Sequence, residues 1–205
     1  NVDLSDGTIT TSYYNTGVLA GSTSGNTQIV DVSVRGVDIF INGYGSDAGG
    51  LVGKADGNTI ISRCSVDANI TVTATNAGPG GRLGGITGSL TSGNSGTATI
   101  EDCIATGTII SSGGSIGGLA AELKSSDAKI IHSISAVSID APAGTLKNYG
   151  GLVGVTRGSV SRSVALNEYI NSGDAASTGR IAGALTVTGS SGAGTVTDSY
   201  AWVGM

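Results

Sequence analysis

The chain has 205 residues, of which 36 are glycine, 12% are charged and 4% are aromatic. A net charge of −5 with only four lysines argues against a nucleic-acid surface. No uninterrupted apolar run approaches the roughly 18 residues of a membrane helix, so we expect no direct membrane insertion. The 39% of apolar residues predict a packed core, and the abundance of Gly, Ser, Thr, Val and Ile favours strands over helices.

A glycine-rich hexamer recurs along the chain. Its central Leu or Ile returns after 32, 35, 33, 33 and 29 residues, which defines a repeat of about 33 residues. The six copies are TGVLAG from Thr16, AGGLVG from Ala48, LGGITG from Leu83, IGGLAA from Ile116, YGGLVG from Tyr149 and TGRIAG from Thr178.

Two further apolar segments follow each hexamer. The first has the pattern I-x-x-(C/S/V)-x-(A/V/S), and the second alternates apolar and polar residues, as in Val37, Ile39 and Ile41. Turn dipeptides such as Gly25-Asn26 and Gly57-Asn58 separate the hexamer from the next segment. Each repeat therefore predicts three short strands.

A single such unit cannot bury its own apolar side chains, whereas coils stacked about 4.8 Å apart share one continuous core. We therefore predict an all-β fold, a right-handed parallel β-helix of about six coils that forms one domain over residues 1–205. Period-2 alternation directs Leu51 inward, and with it Gly49 and Gly53, so that the opposite wall can approach the backbone.

The second segment predicts two columns of stacked residues. The inward column consists of small residues, namely Val32, Cys64, Cys103, Ser133, Ser163 and Ser199. Because Cys64 and Cys103 would be in-register neighbours on adjacent coils, we expect free thiols rather than a disulfide. The outward column alternates in charge along most of its length, namely Asp31, Arg63, Asp102, His132, Arg162 and Asp198.

The GGLVG core followed by I-x-x-C-x-A resembles the GLUG motif. Similar repeats occur in bacterial adhesin-like surface proteins and in non-catalytic regions of immunoglobulin-A-cleaving metallopeptidases. The resemblance runs from about Thr16 onward, although IGGLAA and TGRIAG each lack one glycine. It implies secretion or surface display, and a chain that is a fragment of a larger surface protein with adjacent domains, but it implies no defined ligand.

The sequence offers no convincing catalytic or metal site. With His132 as the single histidine, no H-E-x-x-H motif exists, and no cysteine cluster has zinc spacing. Asp31 and Asp102 would lie two coils apart with Arg63 between them. An arginine at that position would keep both carboxylates ionised, whereas a general acid must be protonated. We therefore expect no cofactor, no metal and no enzymatic activity.

Ligand binding is expected at the variable connection between the third segment and the next hexamer. This connection differs in length between repeats and collects tyrosines together with polar residues at one edge of the rod. The candidate ligand-binding residues are Tyr13, Tyr14, Tyr44, Asp47 and Tyr149. Such tyrosines could stack on a sugar, or they could simply cover the corner between coils.

An outward apolar column is expected toward the C-terminal end of the rod. It comprises Ile104, Ile134, Val164 and Tyr200, beside Leu166 and Trp202. A contiguous patch of this kind indicates a contact, whether with an adjacent domain, a cap, a further coil, a second copy or a ligand.

Taken together, the sequence predicts a non-enzymatic extracellular bacterial module, either an adhesin-like stalk or a binding module for a host protein or glycan. The alternatives are a carbohydrate-active β-helix enzyme, such as a polysaccharide lyase or glycoside hydrolase, and a purely structural spacer.

Overall fold

The structure, a computed structural model, describes residues 1–12, 14–43, 47–73, 81–93, 96–142, 148–173, 177–185 and 192–202. Every regular element in these ranges is a β-strand, and none of them contains a helix that could span a membrane. The strands stack into four parallel sheets that run along one axis. The predicted β-solenoid is therefore confirmed, with about five turns, close to the six coils expected.

Each hexamer supplies two strands rather than one, because it bends sharply at its centre. The first arms form sheet 1, with strands Thr16–Gly17, Asp47–Gly49, Arg82–Gly84, Ser115–Gly117, Asn148–Gly150 and Ser177–Gly179. The second arms form sheet 2, with strands Ala20–Thr23, Val52–Asp56, Thr87–Thr91, Ala120–Leu123, Val153–Thr156 and Ala182–Ala184. A coil thus has four strands instead of the three predicted.

The two segments after the hexamer form the remaining sheets. Sheet 3 contains Gln28–Val30, Ile60–Ser62, Ala98–Glu101, Ala128–Ile131, Ser159–Ser161 and Thr195–Thr197. Sheet 4 contains Val2–Ser5, Thr8–Thr11, Val32–Ile41, Ser65–Val72, Ile104–Ser111, Ile134–Ala141, Val164–Ala165, Ile170–Ser172 and Tyr200–Ala201. The long strands of sheet 4 form the widest wall of the solenoid.

Two of the four corners keep the same length in every coil. The corner between sheets 1 and 2 always has two residues, and the corner between sheets 3 and 4 has one or two. The connections between sheets 2 and 3 range from 2 to 10 residues, and those between sheets 4 and 1 from 3 to 9. Differences in repeat length therefore fall on these two connections.

The fixed corners carry hydrogen bonds from coil to coil. The N–H of Leu51 donates to the carbonyl oxygen of Ile86 at 3.1 Å, and the N–H of Ile86 donates to that of Leu119 at 2.9 Å. These three side chains are fully buried. They lie in one file along the axis, as the repeat predicted, and the ladder does not break at the corner.

The glycines of the hexamer have different neighbours from those predicted. A Cβ at Gly49 would clash with the carbonyl oxygen of Val52, and a Cβ at Gly53 would lie 2.6 Å from the carbonyl oxygen of Gly21. Both glycines therefore face the hexamer strands of sheets 1 and 2 rather than the opposite wall. The central Gly50 instead faces the opposite wall, where its Cβ would lie 2.6 Å from Val66 Cγ1. Alternation fails here because it holds only within a strand, and the hexamer turns at residues 50 and 51.

The inward column of small residues forms a hydrogen-bonded staple along the axis. The Ser133 hydroxyl donates to the carbonyl oxygen of Ile131 at 2.8 Å and accepts the N–H of Cys103 at 3.2 Å. Cys103 Sγ in turn accepts the N–H of Cys64, while Ser163 and Ser199 repeat the arrangement in later coils. Both cysteines are buried free thiols, as predicted. Five of the six coils thus place a small side chain with a donor and an acceptor at this corner, and the first coil has Val32 there.

The glycine of the first arm leads to one prediction. Replacement of Gly49 by Ala places a methyl group against the Val52 and Ile86 carbonyl oxygens and 2.5 Å from Thr87 Cα. Because backbone atoms cannot move aside, we expect a loss of about 3 kcal/mol in the free energy of unfolding, measured with urea. Gly7→Ala is the control, since nothing lies within 4 Å of its Cβ. Equal stability of the two variants would contradict the close packing of the arms.

The staple leads to a second prediction. Ser133→Ala leaves the buried N–H of Cys103 and carbonyl of Ile131 without this partner, at a cost of about 1–3 kcal/mol in urea unfolding. Ser133→Cys restores both roles and introduces the residue that two earlier coils carry, so we expect a much smaller loss. Equal losses of stability in the two variants would show that this corner requires a small side chain but not its hydrogen bonds.

Candidate binding surfaces

The structure brings together few of the predicted ligand-binding residues. Tyr14 is 81% exposed, in the connection between sheets 4 and 1. Tyr149 is fully buried in sheet 1, where burial raises the pKa of its phenol, so the prediction that it contacts a ligand is wrong. It occupies the column of Ala48, Leu83 and Ile116, whose side chains belong to the core. Tyr13 and Tyr44 lie outside the described residues.

Asp47 is also inaccessible to a ligand, because it is buried in an ionic cluster. Its carboxylate accepts hydrogen bonds from Arg82 Nη1 at 3.0 Å and from the Ser89 hydroxyl at 2.7 Å. Arg82 also pairs with Glu122. Burial alone would lower the pKa of Arg82, but the hydrogen bonds and charges of Glu122 and Asp47 raise it. Since a broken buried pair costs several kcal/mol, the cluster holds three coils in register.

The sequence contained a signal for this cluster that the hexamer alignment missed. Asp47 and Arg82 occupy the position just before the hexamer in successive repeats, and sheet 1 pairs them directly. Opposite charges at one repeat position predict a cross-coil ion pair. That the pair is buried results from the packing of sheet 1 against sheet 2, which the sequence did not reveal.

The outward charge column lies where the chain turns from sheet 3 into sheet 4. All six of its residues have positive φ, between 48° and 56°. Arg63 donates two hydrogen bonds to the Asp31 carboxylate, at 2.8 and 3.0 Å, and these lower the pKa of Asp31. Asp102 approaches His132 Nδ1 at 3.7 Å. These six residues therefore occupy corner positions. Within the column, Asp31 pairs with Arg63 and Asp102 lies near His132 in the next coil.

A groove of about 300 Å³ lies beside this column at the N-terminal end of the rod. Its charged lining includes two ion pairs, Asp3 with Arg35 and Asp31 with Arg63. The hydrogen bonds from Arg63 lower the pKa of Asp31, so this carboxylate is not suited to act as a general acid. The groove can accept polar ligands but has no pair of free carboxylates for glycoside hydrolysis among its described lining residues.

The two cysteines form a buried, hydrogen-bonded pair, and the described part of the chain has no group of three or more His, Cys, Asp or Glu residues arranged to bind a metal ion. The hydrogen bond with Cys64 and burial raise the pKa of the Cys103 thiol, which keeps it protonated. These thiols are parts of the staple.

The predicted apolar column is present on the outer face of sheet 4. Ile104 pairs with Ile134, Ile134 with Val164, and Val164 with Tyr200, so their side chains form one file across four coils. Leu166 and Trp202 are exposed two residues further along the chain from Val164 and Tyr200. We call this surface the apolar face, defined by Ile104, Ile134, Val164, Leu166, Tyr200 and Trp202.

Comparison with known proteins identifies one repeat directly. Residues 44–73, which span one complete coil from sheet 1 to sheet 4, match the family model described as the GLUG motif. No curated protein and no solved structure matches the chain. The other copies of the hexamer stack in register with the matched coil along sheets 1 and 2. Residues 44–73 therefore carry a GLUG motif, and this motif forms one coil of the β-solenoid.

Proposed function

We propose that this chain is a non-enzymatic, adhesin-like module of an extracellular bacterial protein. It acts as a stiff stalk that presents its variable connections to a host protein or glycan. One observation carries the proposal: several ion pairs join successive coils, while differences in repeat length fall on two connections, of which the one between sheets 4 and 1 carries the exposed Tyr14. The resemblance of GLUG repeats to bacterial surface proteins adds secretion or surface display.

The pairing of charges supports a scaffold rather than a catalyst. Asp31 with Arg63, Asp3 with Arg35, and Asp47 with Arg82 all join residues of neighbouring coils. A catalytic carboxylate needs a tuned pKa and access to substrate. Arg63 lowers the pKa of Asp31, and Asp47 is buried in its pair with Arg82.

The connections between sheets 4 and 1 support the choice of binding edge. They join strand ends that are stacked along the rod, and their lengths range from 3 to 9 residues. Because the fixed corners and the core do not depend on these connections, their sequences can change without loss of the fold. Exposed Tyr14 lies in the first of them.

A binding screen tests the proposal. The 205-residue chain is immobilised at low density and probed with a glycan array and with host extracellular proteins in solution. We expect a ligand whose binding weakens at least about tenfold in the double variant Tyr14→Ala/Tyr44→Ala, because tyrosines supply rigid stacking surface. Tyr200→Ala is the control, an exposed tyrosine on sheet 4 away from this edge.

Two outcomes would overturn the proposal. Binding that the double variant leaves unchanged would exclude the edge as the site. An absence of binding in both screens would leave the chain as a spacer.

A further inference from the structure

The outer face of sheet 4 changes character along the rod. Its first column reads Asp3, Ser33, Ser65, Ile104, Ile134, Val164 and Tyr200 in register. The three N-terminal rungs are therefore polar and the four C-terminal rungs are apolar. The side chains from Ser33 onward point away from the core, because the residues that alternate with them are buried.

A second column, two residues further along the chain, changes in the same direction. It runs from Asp67 through Thr106 and Ala136 to Leu166 and Trp202. Asp67 accepts a hydrogen bond from the Thr106 hydroxyl at 3.0 Å, whereas Leu166 and Trp202 are 45% and 53% exposed. The apolar face is thus contiguous, two columns wide and up to four coils long.

The size of the apolar face is that of a contact surface. Ile104 and Tyr200 are 44% and 71% exposed. At about 200 Å² for a large side chain, the six residues expose roughly 500 Å² of apolar surface. A patch of this size is near the upper end of what soluble monomers expose, and such patches commonly mark an interface.

The charge pattern indicates which partner the face can accept. The two columns contain no charged residue from Ile104 to Trp202, whereas their N-terminal rungs hold Asp67. A chain with net charge −5 repels its own copies wherever charged surfaces meet. The apolar face itself carries no charge. The outward charge column beside it contains both acidic and basic residues (Asp102, His132, Arg162 and Asp198), so its net charge is small and two sheets can pack face to face about 10 Å apart.

We propose that the apolar face is the interface of a homodimer, in which sheet 4 of one copy packs against sheet 4 of a second copy about a two-fold axis. Such an interface is self-complementary, because the same apolar columns meet from both sides. Two faces together bury about 1,000 Å², at the lower limit of specific interfaces. We therefore expect a dissociation constant of about 10 µM. This inference does not depend on ligand binding at the variable edge.

Sedimentation velocity from about 1 to 200 µM tests the dimer, because this range brackets the expected dissociation constant. The wild-type chain is expected to change from monomer to dimer over it. The double variant Ile104→Ser/Leu166→Asp introduces the residues that sheet 4 carries at the register-matched Ser65 and Asp67, so the fold should persist. We expect its dissociation constant to rise at least about tenfold, with circular dichroism and the thermal midpoint recorded to verify folding.

Phe40→Asp is the matched control. Phe40 is 37% exposed on the same outer face of sheet 4 but at the N-terminal end, and its column already contains Asp140. It undergoes the same change from an exposed apolar residue to aspartate, and dimerisation should be unaffected. A wild-type chain that stays monomeric at the highest concentration would overturn the proposal. So would a dimer that the folded double variant retains, or one that Phe40→Asp dissociates equally well.

Discussion

Hydrogen bonds between successive coils are the constraint on which the rest of this structure depends. They continue through two of the four corners, from Leu51 to Ile86 and from Arg63 to Glu101, so each coil is bonded along its strands and at its bends. A corner that takes part in the ladder cannot accept an inserted residue without breaking it. The remaining two connections also carry some hydrogen bonds between coils, such as Asn58 N–H to the Gly25 carbonyl oxygen, but they differ in length from coil to coil. They account for a repeat of 29 to 35 residues with two corners of nearly constant length.

The same constraint explains where the polar residues are found. The buried hydroxyls and thiols of the staple satisfy backbone groups at a corner where the strand ladder turns, and a buried unpaired N–H would be costly. The exposed ion pairs contribute little stability each, but they oppose a shift of one coil against the next. Several charged side chains, among them Asp31, Arg63 and Asp47, are thus paired between successive coils.

This division leaves two kinds of surface for interaction with other molecules. The variable edge changes from coil to coil and suits recognition, whereas the apolar face is regular, uncharged and continuous with sheet 4. The connections to sheet 1 begin at the ends of the sheet 4 strands, whereas the apolar face lies on the outer surface of the same sheet. A rod with separate surfaces for self-association and for ligand binding could gain avidity by pairing.

The amino-acid sequence by itself determined the repeat, the strand columns and the apolar face. Each column contains up to six residues that occupy the same structural environment in successive coils. A residue that departs from the pattern in one coil therefore does not hide it. Tertiary structure alone decided the bend within the hexamer, the burial of Tyr149, and the burial of Asp47, which accepts hydrogen bonds from Arg82 and Ser89. Alternation along a strand carries no information about the residues on the far side of a corner. Burial at a corner depends on which arm folds back against it, and the partners there are some 35 to 42 residues apart in the chain.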